Sequence, residues 1–344
     1  MTGQEEVFFY FLRQGLWGAQ VEEPIGSRLT KENWMWLLDE GCRQAVSGIL
    51  IDGVAQSGIR PPDDLWEKWI VHLVCIERAN CHIANKGVQW VDRLNEAGMD
   101  ARVFKGPSVA HWYGKPSYRA YGDLDIVVYE GWGKLEAVLQ AWNLPYRWEH
   151  EDIVLQDGLL PVEFHQRREY LYNPFINVRL QRMLREDKQG NELYLACLVL
   201  HLRRHVLTYG IGLKQVCDVA VMLRNASLDG QKLAEILHKL HAVKFSRVLF
   251  GFIATYIKGI DHFPLPPVYG KELELLESII RKDGYMLKHE REAYGNGTRT
   301  AAIRVAGNGY FWLKRSIRLF SLMPSEACCF TVTMVVRRMR EFFR

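Results

Sequence analysis

The sequence predicts an α+β protein: a small mixed β-sheet core flanked by an N-terminal helical region and a C-terminal all-α domain. Three observations carry that expectation. Apolar residues recur at helical spacing through roughly the first hundred positions, between Ala101 and about Arg168 the texture changes to short runs rich in Val, Ile, Phe and Tyr, and after Asn191 the helical period returns.

In the N-terminal region Val7, Tyr10 and Phe11 form one apolar stripe and Trp34 to Leu38 a second. A longer segment from Asp63 to about Gly98 sets Trp66, Ile70, Leu73, Val74 and Ile76 at helical spacing, behind the stop and start supplied by Pro61-Pro62. Strands are expected at Arg102–Phe104, Asp123–Tyr129, Tyr146–Glu149, Asp152–Gln156 and Pro161–His165, with helical patterns between them at Pro107–Tyr113 and Leu135–Trp142. The C-terminal half predicts helices over Glu192–Thr208, Leu213–Leu223, Gln231–Leu240 and Phe245–Ile257, then near 272–282, 310–321 and 325–342. The turn formers of Tyr294–Thr300 predict a mobile loop.

Composition excludes several classes. With 48% apolar and 24% charged residues in 344, the chain has the balance of a globular protein and the length for a sizeable core. A net charge of +4 is small for this size and does not announce a nucleic-acid binder. The seven cysteines form no CxxC pair, which argues against a zinc site or a disulfide framework. The longest nearly apolar run, Ala327–Val336, is about half of the roughly 20 residues that a membrane helix needs, so no span is expected. Gln4, Glu5 and Glu6 precede the first amphipathic segment, unlike the basic start of a secretory signal, and the expected location is the cytoplasm.

The most informative stretch is Phe104-Lys-Gly-Pro-Ser108 followed by Tyr118-Arg-Ala-Tyr-Gly-Asp-Leu-Asp-Ile-Val-Val128. Side chains alternate along a strand, so Asp123 and Asp125 share one face while Leu124 and Ile126 face a core. Two adjacent carboxylates at the mouth of an apolar strand repel each other unless a cation joins them. Mg²⁺, or Mn²⁺, suits such oxygen donors and commonly shares them with substrate phosphates, so a nucleoside triphosphate is the expected second substrate. The same alternation puts Glu163 and His165 on one face of a later strand, and the third carboxylate suits two-metal chemistry. Lys105-Gly106 lies between a predicted strand and a predicted helix start, where Gly106 lets backbone amides approach a phosphate and Lys105 and Ser108 add charge and a hydroxyl.

These residues resemble the uncharacterised nucleotidyltransferases of the DNA polymerase beta-like superfamily over about residues 60 to 225. The resemblance lies in Lys105-Gly106, Arg119, Gly122-Asp-Leu-Asp125 and Glu163-Phe-His165, and in a later helical segment with His201, His205 and Lys214 to Asp218. The superfamily usually has Gly-Ser or Gly-Gly where this chain has Lys-Gly, and more often Asp than Glu as the third acid. The resemblance implies transfer of a nucleoside monophosphate to an acceptor hydroxyl. It assigns Asp123, Asp125 and Glu163 to catalysis and metal, and Lys105, Gly106, Ser108, Arg119, His165, Lys214 and Asp218 to substrate. The segments expected from the change of texture along the chain are a helical region over 1–98, a nucleotidyltransferase-like core over 99–190 and a helical domain over 191–344.

Each reading has a plainer counterpart. Asp123 and Asp125 also suit a turn or cap after Gly122, Glu163 and His165 the solvent face of an edge strand, and Lys214 and Asp218 an i,i+4 surface pair. Arg119 suits a counter-charge as well as a phosphate grip. His201 and His205 lack the intervening Glu of a zinc protease, and packing or supporting hydrogen bonds suit them better. The cations Lys314, Arg315, Arg318, Arg337, Arg338, Arg340 and Arg344 suit a solvated helix face better than a membrane surface. The acceptor stays open among small molecule, peptide, protein and RNA. Two further readings of the same scaffold also stay open: a toxin-like or maturation-system modifier of RNA or protein, and a non-catalytic nucleotide-binding module.

Overall fold

Capping and close glycine contacts set the helices of the N-terminal part: α1 (Gly3–Trp17), α2 (Lys31–Arg43), α3 (Ser47–Ser57) and α4 (Asp63–Glu96). At the start of α2, Thr30 Oγ accepts from the Asn33 amide at 3.3 Å and Asn33 Oδ1 accepts from the Thr30 amide at 3.1 Å, so two orphan donors are satisfied reciprocally. Pro62 precedes α4, whose first turn carries Asp63 and Asp64 toward the positive end of the helix dipole. Gly15 and Gly53 let α1 and α3 touch backbone to backbone: a Cβ on Gly53 would overlap the Phe11 carbonyl oxygen, and one on Gly15 the Ile49 carbonyl. The computed structural model describes residues 3–18, 29–149, 151–187, 190–208, 210–283 and 301–342. It divides into two compact units, Met1–Arg168 and Glu169–Arg344.

The first unit continues with β1 (Ala101–Val103), α5 (Pro107–Ala110), β2 (Leu124–Val128), α6 (Trp132–Ala141), β3 (Arg147–Glu149), β4 (Asp152–Asp157) and β5 (Leu160–His165). All the strand runs read from the sequence are present with slightly shifted ends, as are both intervening helical patterns. The sheet order is β1-β2-β5-β4-β3, with β2 and β5 parallel and the other pairs antiparallel. The fold class is therefore α+β with a mixed sheet. Leu124, Ile126, Val128, Ile153, Leu155, Val162 and Phe164 turn one sheet face onto Ile83, Trp90 and Leu94 of α4 and Leu135 and Leu139 of α6. The alternate residues of the central strands are left for the opposite face.

The second unit is helical: α7 (Pro174–Glu186), α8 (Asn191–Thr208), α9 (Leu213–Asn225), α10 (Gly230–Lys239), α11 (Val243–Phe252) running into a π-helical turn at Ile253–Ile257, α12 (Lys271–Asp283), α13 (Ala301–Leu319) and α14 (Pro324–Phe342). Two helices lie outside the sequence expectations. Residues Ser47 to Val54 of α3 are all buried, so no polar face alternates with an apolar one. α7 shows a thin stripe, Ile176, Leu180 and Leu184, and is started by Asn173, whose side chain accepts from the amides of Phe175 and Ile176. Of the C-terminal cations, Arg315 is buried and its Nε donates to the Val206 carbonyl at 2.9 Å, while Arg318 donates to Ser278 Oγ at 2.6 Å. The Tyr294–Thr300 segment lies outside the described residues. Among the described residues no helix is long and apolar enough to cross a membrane.

Candidate active site

The site is built on the sheet face turned away from α4 and α6. Asp123 immediately precedes β2, and Asp125 lies within it, 7% exposed. In the parallel register Asp125 stands opposite Glu163 and Val127 opposite His165, so the acid pair and the histidine share a face. β5 lies between β2 and β4, which removes the edge-strand reading of Glu163 and His165. Atoms of Asp125, Glu163 and His165 converge within 4.8 Å of one another, the spacing of groups able to hold a metal ion.

His165 joins the cluster by both ring nitrogens. Nε2 lies 2.9 Å from Asp125 Oδ1 and 3.7 Å from Glu163 Oε2, and Nδ1 lies 3.0 Å from Asp152 Oδ1. Burial lowers the histidine's proton affinity, but hydrogen bonds to Asp125 and Asp152 outweigh it and push the imidazole up to about 9. Burial together with the charges of Asp123 and Asp125 pushes the Glu163 carboxyl up to about 7. Asp125 and Glu163 crowded this closely favour a cation between them, while Asp123 acts on Glu163 through its charge and is not among the groups whose atoms converge within 4.8 Å.

The Lys-Gly turn closes one side. Phe104 N donates to the Asp125 carbonyl at 2.9 Å, extending the β1–β2 pairing to the turn. Lys105 then takes φ 64° and Gly106 φ 43° with ψ −114°, a conformation that the glycine tolerates for want of a Cβ. The reversal returns Lys105 Nζ to 3.4 Å from Asp125 Oδ1. Ser108 braces the turn, its hydroxyl and its amide both donating to the Lys105 carbonyl, at 2.7 and 2.8 Å. Arg119 is buried, with Nη1 3.4 Å from the Ala120 carbonyl oxygen and its guanidinium carbon 5.7 Å from the Tyr121 ring centre.

The family described as uncharacterised nucleotidyltransferase matches residues 30–257. The chain belongs to that family. No curated protein and no solved structure matches it. Membership in the nucleotidyltransferase family supports a nucleotidyl-transfer role, and the acid and histidine cluster lies within the matched residues.

The remaining expected residues of this nucleotidyltransferase-family chain lie in the second unit. Lys214 and Asp218 sit on α9 and are both buried, which sets aside an exposed surface pair. On α8, the His201 and His205 rings lie with centres 4.2 Å apart and planes tilted by 56°, and His201 Nδ1 lies 2.9 Å from Glu169 Oε2.

Two residues near the site were not singled out from the sequence. Asp152 faces the imidazole, one residue beyond the pairing of Ile153 with Phe164. The signal available for it was strand alternation across the hairpin of β4 and β5. Asn80, on α4, donates to the Ser117 and Arg119 carbonyls at 2.6 and 2.9 Å and accepts from the Tyr121 amide at 3.0 Å, pinning the loop ahead of β2. Its partners are more than thirty residues away in sequence, and nothing local marks it.

Proposed function

We propose that this protein transfers a nucleoside monophosphate from a nucleoside triphosphate to an acceptor hydroxyl, with release of pyrophosphate. The observation that carries the reading is the in-register convergence of Asp125 and Glu163 on neighbouring parallel strands, with Asp123 at the strand entrance. The donor set fits a divalent ion, Mg²⁺ or Mn²⁺, since carboxylate oxygens predominate and their charges raise the Glu163 carboxyl in the absence of a cation. Asp123, Asp125 and Glu163 would hold it. When bound, such an ion supplies Lewis-acid stabilisation of charge on the triphosphate.

The residues of the chain do the rest. The Lys105 ammonium, carried by the left-handed turn, provides a fixed positive charge for the triphosphate, with Gly106 leaving backbone open beside it and Ser108 bracing the loop. Arg119 adds a second cationic group. The acceptor oxygen bonds to the α-phosphorus, the bond to the β-phosphate oxygen breaks, and pyrophosphate leaves. The acceptor proton passes to the Glu163 carboxylate where Asp123 and Asp125 alone hold the ion, and to water where Glu163 joins them. Small molecule, peptide, protein and RNA hydroxyls all meet this chemistry.

Pyrophosphate release from each of the four nucleoside triphosphates, with Mg²⁺ or Mn²⁺ and a cell extract as mixed acceptor, tests the reading. Release by wild type that disappears in Asp123→Ala/Asp125→Ala supports it. The ion pair of Lys105 with Asp125 favours a second reading, a nucleotide-binding module without turnover. Metal-dependent nucleotide binding with background pyrophosphate release would select that one.

A further inference from the structure

We propose that His165 is itself a metal ligand through Nε2 and that Asp152 is the positioning residue that holds its ring, giving the site a nitrogen donor and a preference for Mn²⁺ over Mg²⁺. The proposal rests on the metal-binding reading of Asp125 and Glu163 given above.

An imidazole presents its two nitrogens on different edges of the ring, and each edge of His165 faces a different carboxylate environment. On one edge Nδ1 meets Asp152 Oδ1 at 3.0 Å. An ionised carboxylate only accepts hydrogen bonds, so Asp152 requires the proton on Nδ1. On the other edge Nε2 meets Asp125 Oδ1 at 2.9 Å and Glu163 Oε2 at 3.7 Å, and a bound ion would take the place of the proton that Nε2 shares with Asp125, releasing it to solvent. Neighbouring donors around an octahedral ion with bonds of about 2.1 Å stand roughly 3 Å apart, a spacing that these atoms approach.

Metal-binding histidines characteristically donate their second ring N–H to a carboxylate, which fixes the tautomer and the ring orientation. Asp152 stands in that relation to His165. Its oxygen meets the far edge of the ring, whereas Asp125 and Glu163 meet the near edge, so around His165 those two stand as ligands and Asp152 as support. The ring is also sheltered, with a side chain 15% exposed at the last position of β5. Mg²⁺ favours all-oxygen coordination, and first-row transition ions accept an imidazole more readily, which sets the expected preference.

Full-length protein without nucleotide, titrated with Mn²⁺ and followed by electron paramagnetic resonance, tests the assignment without recourse to activity. The wild type is expected to bind Mn²⁺ with the pulsed-resonance nitrogen modulation of a directly bound imidazole, a signal absent from His165→Ala. Asp152→Ala should weaken Mn²⁺ binding by about 10- to 100-fold with less effect on Mg²⁺. Asp152→Asn, whose amide oxygen still accepts from Nδ1, should recover part of the loss. Mn²⁺ bound in an Asp125-dependent way with no nitrogen modulation overturns the role of His165 and leaves the metal reading standing. Wild-type protein that binds neither ion overturns the metal reading itself. The wild-type spectrum decides between these outcomes even if a variant fails to fold.

Discussion

At the scale of single residues, a group proposed to hold the ion and a group that only braces the turn should respond differently to substitution. Asp125→Asn keeps the shape of the side chain and removes the charge that Lys105 and His165 face. A metal ligand is worth several kcal/mol of charge stabilisation and each about 1.4 kcal/mol is tenfold in rate, so nucleotidyl transfer should fall by at least about a hundredfold. An unchanged rate constant in a correctly folded Asp125→Asn protein would remove the aspartate from the mechanism. Ser108→Ala should behave differently, because its hydroxyl bonds to the Lys105 carbonyl within the turn. Loss of that hydrogen bond should lower stability to urea by about 0.5–1.5 kcal/mol, and an unchanged midpoint would show that the brace contributes nothing. Asp125 and Glu163 were legible in the sequence because period-two alternation around apolar residues fixes which side chains share a face. Asp152 and Asn80 were not, because their roles arise from contacts across the hairpin and between α4 and the loop before β2.

At the scale of elements, what the sequence displayed was amphipathic contrast, and it failed where contrast is missing. The five strands alternate with turn formers and were all readable, whereas α3, buried through Ser47 to Val54, offers no polar face. Its packing nevertheless makes a sharp prediction. A Cβ at Gly53 would meet the Phe11 carbonyl, a rigid backbone atom, so Gly53→Ala should force α1 and α3 apart. Overpacking of this kind typically costs about 1–3 kcal/mol, more than the helix propensity that alanine adds. A chemical-denaturation curve that shows Gly53→Ala equal to or more stable than wild type would mean that the helices are not in backbone contact.

At the scale of the whole molecule, stability against pH should carry the signature of one buried group. Glu169 accepts from Arg204 Nε at 2.6 Å and pairs with His201 at 2.9 Å. Burial pushes its carboxyl up, but the charges and hydrogen bonds of Arg204 and His201 win and hold it well below the ordinary carboxylate range. A carboxyl lowered on folding contributes stability that is fully present above its unfolded value and is lost as pH falls through the folded one. Thermal stability should therefore decline progressively as the medium becomes more acidic than the ordinary glutamate range, and Glu169→Gln should flatten part of that decline. The same variant should cost about 3 kcal/mol or somewhat less at neutral pH, because it takes the carboxylate from Arg204, whose side chain is still 17% exposed to water. An identical acid slope in the two proteins would contradict the assignment. Burial of charge in this way was hidden from the sequence, where Glu169 looks like any glutamate between Arg168 and Tyr170.

The central claim, that the cluster of Asp123, Asp125 and Glu163 supports nucleotidyl transfer, is tested most directly by following a label on the α-phosphate of the nucleoside triphosphate. Incubated with a divalent ion and a cell extract, the wild-type protein should carry the label covalently onto an acceptor while the β- and γ-phosphates appear as pyrophosphate, and Asp125→Asn should transfer at least about a hundredfold less. Label that stays with the free nucleotide to the same extent for both proteins, under every metal and acceptor supplied, would contradict the account.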